Sequence, residues 1–443
     1  MSIEDQAVNK SGVNNKKTIN AWVMYDWANS VYSLTITTAV FPSYFLAVTG
    51  GKGGYLDFFG LQFKNSELYT YALSLAFLIV AIQNPFLSAI ADTKGSKKRF
   101  MQFFSYLGSI SCGLMYFFTS DNIGYGLILS ILAAIGYAGS LVFYNAYLPE
   151  ITSEDQYDKI SAKGFALGYI GSVILLIFNL VLILNAEVIG ISTGMASRIS
   201  FLTVGIWWFV FAQYTFANLQ DKPKKTSDES VFKRGIRELG NVWRQTSQLP
   251  LLRKYLIAFF FYSMGVQTVM YLATIFGEEV VGLQQAELIG LVLVLQLLAI
   301  VGAYGMTAVA KRKGNIFALS VTMVLWSIVC ICAFFMKEGM VTAYYLLGVL
   351  VGIVMGGVQS MSRSTYSKLI PQETKDTASY FSFYETLEKS SIALGTFVYG
   401  GVLHLTGSMN YSALAMVVFF IVGLVVLAQI PSKTSYKTSL RKS

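Results

Sequence analysis

The stretch "AWVMYDWANSVYSLTITTAVFPSYF", residues 21–45, decides the class of this chain. It is mostly apolar. It is also long enough to cross a bilayer as a helix, which takes about 20 residues. Yet it carries a carboxylate, and its polar side chains recur at the spacing of a helix. At about 100° per residue, one helix face holds Trp22, Asp26, Asn29, Ser30, Ser33 and Thr37.

Lipid penalises an exposed polar face, so this face is predicted to point into the bundle interior or a water-filled cavity. We interpret it as the lining of a transport path, with Asn29, Ser30, Ser33 and Thr37 near the solute. A structural network between helices is the alternative. Asp26 is a candidate proton or cation site, because a buried carboxylate can titrate near neutrality. A fixed ion pair with a basic residue fits the sequence equally well.

The composition is that of an integral membrane protein. Of the 443 residues, 54% are hydrophobic and 13% are charged, whereas a soluble domain carries about a quarter charged residues. Twelve apolar segments are long enough to span a bilayer, namely residues 20–46, 68–91, 100–119, 123–148, 163–186, 198–219, 254–276, 286–309, 315–336, 340–362, 380–403 and 410–430.

Basic residues predict the orientation of these spans. They gather in the N-terminal tail, in the connections after even-numbered spans and in the C-terminal tail, so both termini are expected in the cytoplasm. The net charge of +9 follows from this topology and from attraction to membrane lipids, without a nucleic-acid partner. The expected location is a plasma membrane, which is the inner membrane in a bacterium.

A polar segment, residues 221–252, divides the spans six and six. Its second part has the pattern of an amphipathic helix on the membrane surface. The fourth and tenth spans end alike, with Pro149 and Pro371 in matching places. The sequence therefore predicts an all-α integral membrane fold of two pseudo-symmetric six-helix bundles, residues 1–220 and 253–443.

The connection after the second span, "SAIADTKGSKKR" at residues 88–99, resembles the signature of the major facilitator superfamily. Asp92, Gly95, Lys97 and Lys98 match the signature, whereas Ser88 replaces its first glycine. The resemblance implies a charge lock between helices that opens and closes during transport.

Three further blocks resemble one branch of that superfamily, the UMF family, which includes the fungal autophagy-linked vacuolar effluxers. They are "YDWANSVYS" at 25–33, "FYNAYLPE" at 143–150 and "QSMSRSTYSKLIP" at 359–371. The resemblance covers nearly the whole chain. It implies a secondary transporter, with amino-acid export as the best-discussed activity of the family.

Three charged residues, Glu385, Glu388 and Lys389, lie inside the eleventh predicted span. Glu385 and Lys389 are four residues apart and can pair on one helix face. Arg363, near the end of the tenth span, is predicted to pair with Glu385 or Asp26. Ionisable groups in a membrane span indicate function, so we interpret these residues as a coupling network. A latch at the cytoplasmic end is the alternative.

Neutral polar residues inside later spans offer hydrogen bonds to a solute or between helices. The candidates for solute contact are Tyr262, Gln267 and Gln296. Small residues also recur every four positions, which predicts close helix packing; they are Gly164, Gly168 and Ser172 in one span and Gly348, Gly352 and Gly356 in another.

Motifs for an enzyme or a bound cofactor do not occur in the sequence, which has no Walker A, HExxH or GxSxG pattern. Three scattered cysteines and one histidine predict no metal site. Without a nucleotide site, the energy for transport must come from a gradient. The sequence therefore predicts a monomeric, proton-coupled transporter of a small polar solute that works by alternating access. A lipid or lysolipid flippase on the same fold is the alternative.

Overall fold

The computed structural model describes residues 13–50, 55–58, 60–64, 68, 72, 75–83, 97–220, 237, 240, 244–246, 248–283, 285–371 and 377–432. This part of the chain is nearly all helical. Most of the predicted second span and the predicted amphipathic helix of the central segment lie outside it.

Among the described residues, the first half of the chain consists mainly of long helices, and the first of them is the longest. The long helix runs as α1 (Lys16–Val31), a π-helical segment (Tyr32–Val40) and α2 (Phe41–Val48). Residues 75–83 are also helical. The remaining helices of this half are α3 (Lys97–Leu114), α4 (Ile123–Ile151), α5 (Tyr157–Leu184), α6 (Ala186–Ile189) and α7 (Thr193–Asn218).

The second half of the chain also consists of long helices. Its helices are α8 (Pro250–Phe276) with a π-helical extension (Gly277–Val281), α9 (Gln285–Lys313), α10 (Asn315–Phe334), α11 (Val341–Leu369), α12 (Thr377–Thr406) and α13 (Met409–Leu427). Eight helices of the described part are long and apolar enough to cross a membrane. The exact number of twelve spans and the orientation of the termini stay predictions.

A short β-hairpin corrects the prediction of an all-α chain. Strands β1 (Tyr55–Phe58) and β2 (Leu61–Lys64) pair antiparallel, with Tyr55 opposite Lys64. In β2, apolar and polar residues alternate, as they do in strands rather than in membrane helices. Gly60 has a φ of 78°, which supplies the left-handed conformation that the tight turn needs.

Close helix packing inside each half follows the two ladders of small residues. In the first half, a Cβ atom added at Gly168 of α5 would lie 3.1 Å from the backbone oxygen of Asp26 on α1. In the second half, a Cβ atom at Gly352 of α11 would lie 2.8 Å from the backbone oxygen of Leu295 on α9. Only glycine permits such an approach of two backbones, so the predicted role in packing agrees with the structure.

The two halves meet mainly through α5 with α9 and α11, and through α4 with α12. We call the end of the bundle where α4 and α11 end and α12 begins the closed end. The chain preceding α1 is fastened there too, because Asn14 donates its backbone N–H to Ile151 O at 2.9 Å and its side-chain amide to Ser153 Oγ at 2.9 Å.

Candidate functional site

A polar cavity lies between the two halves, with its floor toward the closed end. It encloses about 1400 Å³ of empty space, including its opening, and side chains of α1, α4, α5, α8, α9, α11 and α12 line it. The polar residues of the lining include Asp26, Ser30, Ser33, Thr38, Asn145, Gln267, Gln296, Gln359, Arg363, Glu385, Glu388 and Lys389.

The first helix contributes only part of its predicted polar face to this lining. Ser30 and Ser33 line the cavity, but Asn29 is buried behind it, 3.5 Å from the Ser30 hydroxyl. Thr38 takes the place predicted for Thr37. The π-helical segment from residue 32 onward has wider turns than an α-helix, so the residues that follow are rotated around the axis. The prediction assumed an uninterrupted α-helix, which explains why Thr37 is not among the lining residues. Asn29 precedes the π-helical segment and is also not among them; it lies on the buried side of α1.

The carboxylate of Asp26 is held in an ion pair that crosses the two halves. Arg363 of α11 places Nη1 and Nη2 at 3.3 and 3.4 Å from Asp26 Oδ2. The Tyr144 hydroxyl donates to the same oxygen at 2.6 Å. Arg363 also donates to the hydroxyl and the backbone oxygen of Ser161 at 2.9 and 2.8 Å. The sequence left two interpretations of Asp26 open, a proton or cation site and a fixed ion pair. The structure shows the ion pair, with Arg363 as the partner.

Aromatic rings complete the surroundings of Arg363. The guanidinium carbon lies 4.1 Å from the ring centre of Phe165, 4.9 Å from Trp22 and 5.5 Å from Tyr144. Rings at such distances attract a cation through their negative faces. The Arg363 side chain is only 3% exposed, so these contacts replace the water that the cation loses. This explains why Trp22 lies on the polar face of α1.

The eleventh predicted span, α12, brings Glu385, Glu388 and Lys389 to the cavity. The ammonium group of Lys389 lies 2.8 Å from Glu388 and 3.6 Å from Glu385. Gln267 of α8 donates to Glu388 at 2.9 Å. Asn145 of α4 donates to Glu385 Oε1 at 2.9 Å, which is a contact between the halves.

Asn145 links the two charged clusters, because its amide oxygen also accepts from Arg363 Nη1 at 3.4 Å. The sequence offered a signal for this residue, since an asparagine inside an apolar span and inside the block "FYNAYLPE" is unusual. Ser161 gave no such signal, because small hydroxyl residues are common in membrane helices.

Of the three neutral residues predicted to contact the solute, two line the cavity and one forms hydrogen bonds within the second half. Gln267 and Gln296 line the cavity. Tyr262 does not; its hydroxyl lies 2.7 Å from Ser362 Oγ and 3.2 Å from the Tyr255 hydroxyl, inside the second half. The bridging alternative therefore describes Tyr262, because a buried phenol must satisfy its hydroxyl within the protein.

The predicted gating connection is described only in part, since Asp92 and Gly95 lie outside the described residues. Lys97 forms an ion pair with Glu150 at 2.5 Å, and Lys98 donates to Leu219 O at 3.0 Å. The Thr377 hydroxyl, at the start of α12, donates to the same Glu150 oxygen at 2.5 Å. Glu150 therefore connects this region to the second half at the closed end.

A second contact at the closed end was missed from the sequence. Asp158, in the first turn of α5, forms an ion pair with Lys368 at 2.6 Å and accepts from Asn315 Nδ2 at 2.7 Å and from Ser364 Oγ. Lys368 also donates to Asn315 Oδ1 at 2.8 Å. An acidic residue in the first turn of a helix is common because it complements the helix dipole, so the pattern alone did not distinguish Asp158.

Comparison with known proteins identifies a family and several relatives of this chain. The profile of the family "Vacuole effluxer Atg22 like" matches residues 14–439. An uncharacterized MFS-type transporter, YxiO of Bacillus subtilis (strain 168), is 31% identical over 430 residues, covering 96% of this chain and 98% of the relative. Autophagy-related protein 22 of Yarrowia lipolytica is 23% identical and covers 83% of this chain and 76% of the relative.

Solved structures share the fold at low sequence identity. The E. coli fucose:proton symporter FucP has a TM-score of 0.66 and 14% identity, covering 93% of this chain and 97% of that one. The proton:xylose symporter XylE has a TM-score of 0.68 and 11% identity, covering 96% and 98%. The chain is thus a multi-pass membrane transporter and not an enzyme, and it belongs to the Atg22-like family within the major facilitator superfamily.

Proposed function

We propose that the chain is a secondary active transporter that moves a small polar solute, an amino acid or a similar molecule, by alternating access with proton coupling. It would span a bacterial plasma membrane twelve times with both termini in the cytoplasm. In that orientation the closed end faces the cytoplasm and the cavity opens to the other side.

The observation that carries the proposal is the set of five ionisable side chains around one cavity between two bundles. Such groups are costly inside a membrane and mark the path of an ion or solute. They are Asp26, Arg363, Glu385, Glu388 and Lys389. The family profile is described as a vacuole effluxer, and two structural neighbours are proton symporters, which supports the same function.

The contacts between the halves explain how access could alternate. The ion pair of Asp26 with Arg363 and the bond from Asn145 to Glu385 close the floor beneath the cavity. Both consist of side-chain contacts that can separate without breaking a helix. If the two halves separated at this floor and came together at the opposite end, the same site would be exposed to the cytoplasm.

Transport into proteoliposomes tests this function. Purified protein, reconstituted with an imposed pH gradient, is offered a panel of radiolabelled L-amino acids. We expect uptake of at least one of them above empty liposomes, and loss of accumulation with a protonophore. Gln296→Ala, in the cavity lining, is expected to reduce uptake, whereas Gln213→Ala, which removes a contact with Tyr106 in the first half, serves as the matched control.

Failure of every solute to accumulate under proton, sodium or solute gradients would contradict the proposed function. Equal uptake in both variants and the wild type would contradict the assignment of the cavity as the binding site.

A lipid or lysolipid flippase is the second candidate, and one observation favours it. An apolar pocket inside the second half borders the polar cavity and shares Ala273, Leu295 and Val351 with it. A polar site beside an apolar pocket suits an amphipathic molecule. Transfer of a fluorescent lysolipid between leaflets, without amino-acid uptake, would favour this function.

A further inference from the structure

The ionisable side chains around the cavity do not balance in charge. Among the described residues that line it, Asp26, Glu385 and Glu388 are acids, whereas Arg363 and Lys389 are bases. Three acids against two bases leave one negative charge in excess when all are ionised. An uncompensated charge is costly in surroundings that hold little water, so the lining favours the uptake of one positive charge.

Asp26 is not the acid in excess. Its carboxylate is paired with Arg363, whose guanidinium stays charged at any physiological pH. The side chains of Asp26 and Arg363 are 6% and 3% exposed. A proton on Asp26 would leave Arg363 buried without a counter-charge, which costs more than it gains.

Glu385 and Glu388 both lie near the ammonium group of Lys389, but Glu388 is closer to it. Lys389 lies at hydrogen-bond distance from Glu388, at 2.8 Å, and Glu388 also accepts from Gln267. Glu385 lies 3.6 Å from Lys389, and its Oε2 atom has no hydrogen-bond partner among the described residues. Glu385 is also the more buried of the two, with a side chain 3% exposed against 19%. Glu385 is therefore the surplus carboxylate.

The remaining groups around Glu385 do not change this balance. The helix α13, which packs against α12, holds no charged residue between positions 409 and 427. Apart from the five charged residues already counted, the titratable neighbours among the described residues are phenols, which are neutral at physiological pH. The titratable and charged groups that face this region from α1, α4, α8, α11 and α12 are Asp26, Tyr137, Tyr144, Tyr262, Tyr271, Arg363, Tyr384, Glu388 and Lys389.

We propose that Glu385, and not Asp26, binds the coupled proton, one in each transport cycle; this rests on the proposed proton-coupled function. The carboxylate takes a proton from the side to which the cavity opens, becomes a carboxylic acid, and returns the proton on the other side. The ionised form accepts the hydrogen bond from Asn145 across the halves. Protonation weakens that bond, which loosens the floor and links proton binding to opening of the closed end.

Infrared difference spectroscopy of the purified full-length protein tests the proposal without any solute. Spectra recorded at acidic and alkaline pH are expected to show the C=O stretching band of a buried, protonated carboxyl group. The band should vanish in Glu385→Gln and persist in Asp26→Asn. In Glu388→Gln it should also persist, but with a lower pH midpoint, because Lys389 then pairs with Glu385 alone. A band that persists in Glu385→Gln, or one that only Asp26→Asn removes, would overturn the assignment.

A second variant keeps the test open if Glu385→Gln does not fold. Asn145→Ala removes one donor to the ionised carboxylate, so the pH midpoint of the band should rise by about one unit. An unchanged midpoint would overturn the proposal. The spectra need no transported solute, so failure of the liposome experiment and failure of this one are separate results.

Discussion

Two layers of contacts join the halves, and they are built in opposite ways. In the floor layer, a cation of the second half, Arg363, enters the first half and meets Asp26, Asn145 and Ser161. In the end layer, an anion of the first half, Asp158, receives Asn315, Ser364 and Lys368 of the second half. The floor layer borders the cavity and can respond to what binds there. The end-layer residues named here are not among the described residues that line the cavity, so this layer holds the halves together away from the site.

Both layers use the same two helices. Arg363 and Lys368 lie on α11, five residues apart, which is roughly 7.5 Å along a helix. Ser161 and Asp158 lie on α5. Because each helix is rigid over such a length, the layers must separate together. A change in either layer should therefore alter the same equilibrium between closed and open states, to an extent set by how much charge it leaves buried.

The largest effect is expected from Arg363→Met. It leaves Asp26 buried without its cation, which costs about 3–5 kcal/mol when one partner of a buried pair is removed. We expect a marked fall in the apparent Tm of the purified protein. The double variant Asp26→Asn with Arg363→Met should recover part of the loss, because the unpaired charge is gone. A single variant as stable as the wild type would show that the floor layer does not stabilise this state.

The second effect is expected from Asp158→Ala in the end layer. The Lys368 side chain is 13% exposed and keeps its hydrogen bond to Asn315 at 2.8 Å. We therefore expect Asp158→Ala to weaken closure of this end more than it lowers the free energy of unfolding. Spin labels on either side of the closed end should show a shift toward the open state of about tenfold, or ~1.4 kcal/mol. Asp155→Ala is the matched control, because the exposed Asp155 contacts only Ser153 and Gln156 of its own connection among the contacts described. Equal shifts in both variants would contradict a specific role for Asp158.

The third prediction concerns Gly164, which lies against the side chains of the floor layer. A Cβ atom at Gly164 would lie 3.0 Å from Arg363 Nη2 and 3.2 Å from the Tyr144 hydroxyl, and it would overlap the Asp26 carboxylate. Gly164→Ala should therefore destabilise the protein by about 1–3 kcal/mol, as overpacking does. Gly400→Ala, where the added atom meets nothing within 4 Å, is the control. Thermal unfolding of both variants measures the difference, and similar Tm values would refute it.

The smallest effect is expected from Thr377→Val, which removes one neutral donor to Glu150 at the closed end. A hydrogen bond to a charged group contributes about 1.5–3 kcal/mol. Glu150 keeps its ion pair with Lys97 in this variant, so the loss is expected at or below the lower end of that range. The spin-label equilibrium should shift toward the open state by severalfold at most, and less than in Asp158→Ala. A shift as large as that of Asp158→Ala would place Glu150, rather than Asp158, at the centre of the end layer.

The same contrast explains what the sequence could predict. Charges inside apolar spans are visible against their surroundings, so Asp26, Arg363, Glu385 and Lys389 were recognised as a network. Asp158 and Asn315 lie where helices begin, and polar residues are ordinary there. Their partnership joins positions 157 residues apart and depends on how the halves meet, which no local pattern encodes.

The assumption of regular α-helix periodicity also limited which cavity-lining residues could be predicted. Ser30 and Ser33 line the cavity, whereas Asn29 and Thr37 do not. The position of Thr37 differs from the prediction because a π-helical segment rotates the chain. The aromatic residues around Arg363 also belong to three different helices, so their convergence on one cation follows from tertiary packing alone.

The ion pair of the floor also restricts how such a protein can evolve. Its members are 337 residues apart, one in each half, and neither is tolerable in a buried site without the other. A mutation that introduces or removes one charge passes through a chain with an unpaired charge and a weakened fold. Descendants are therefore expected to keep both Asp26 and Arg363 or to lose both, and the two halves cannot diverge independently at these positions.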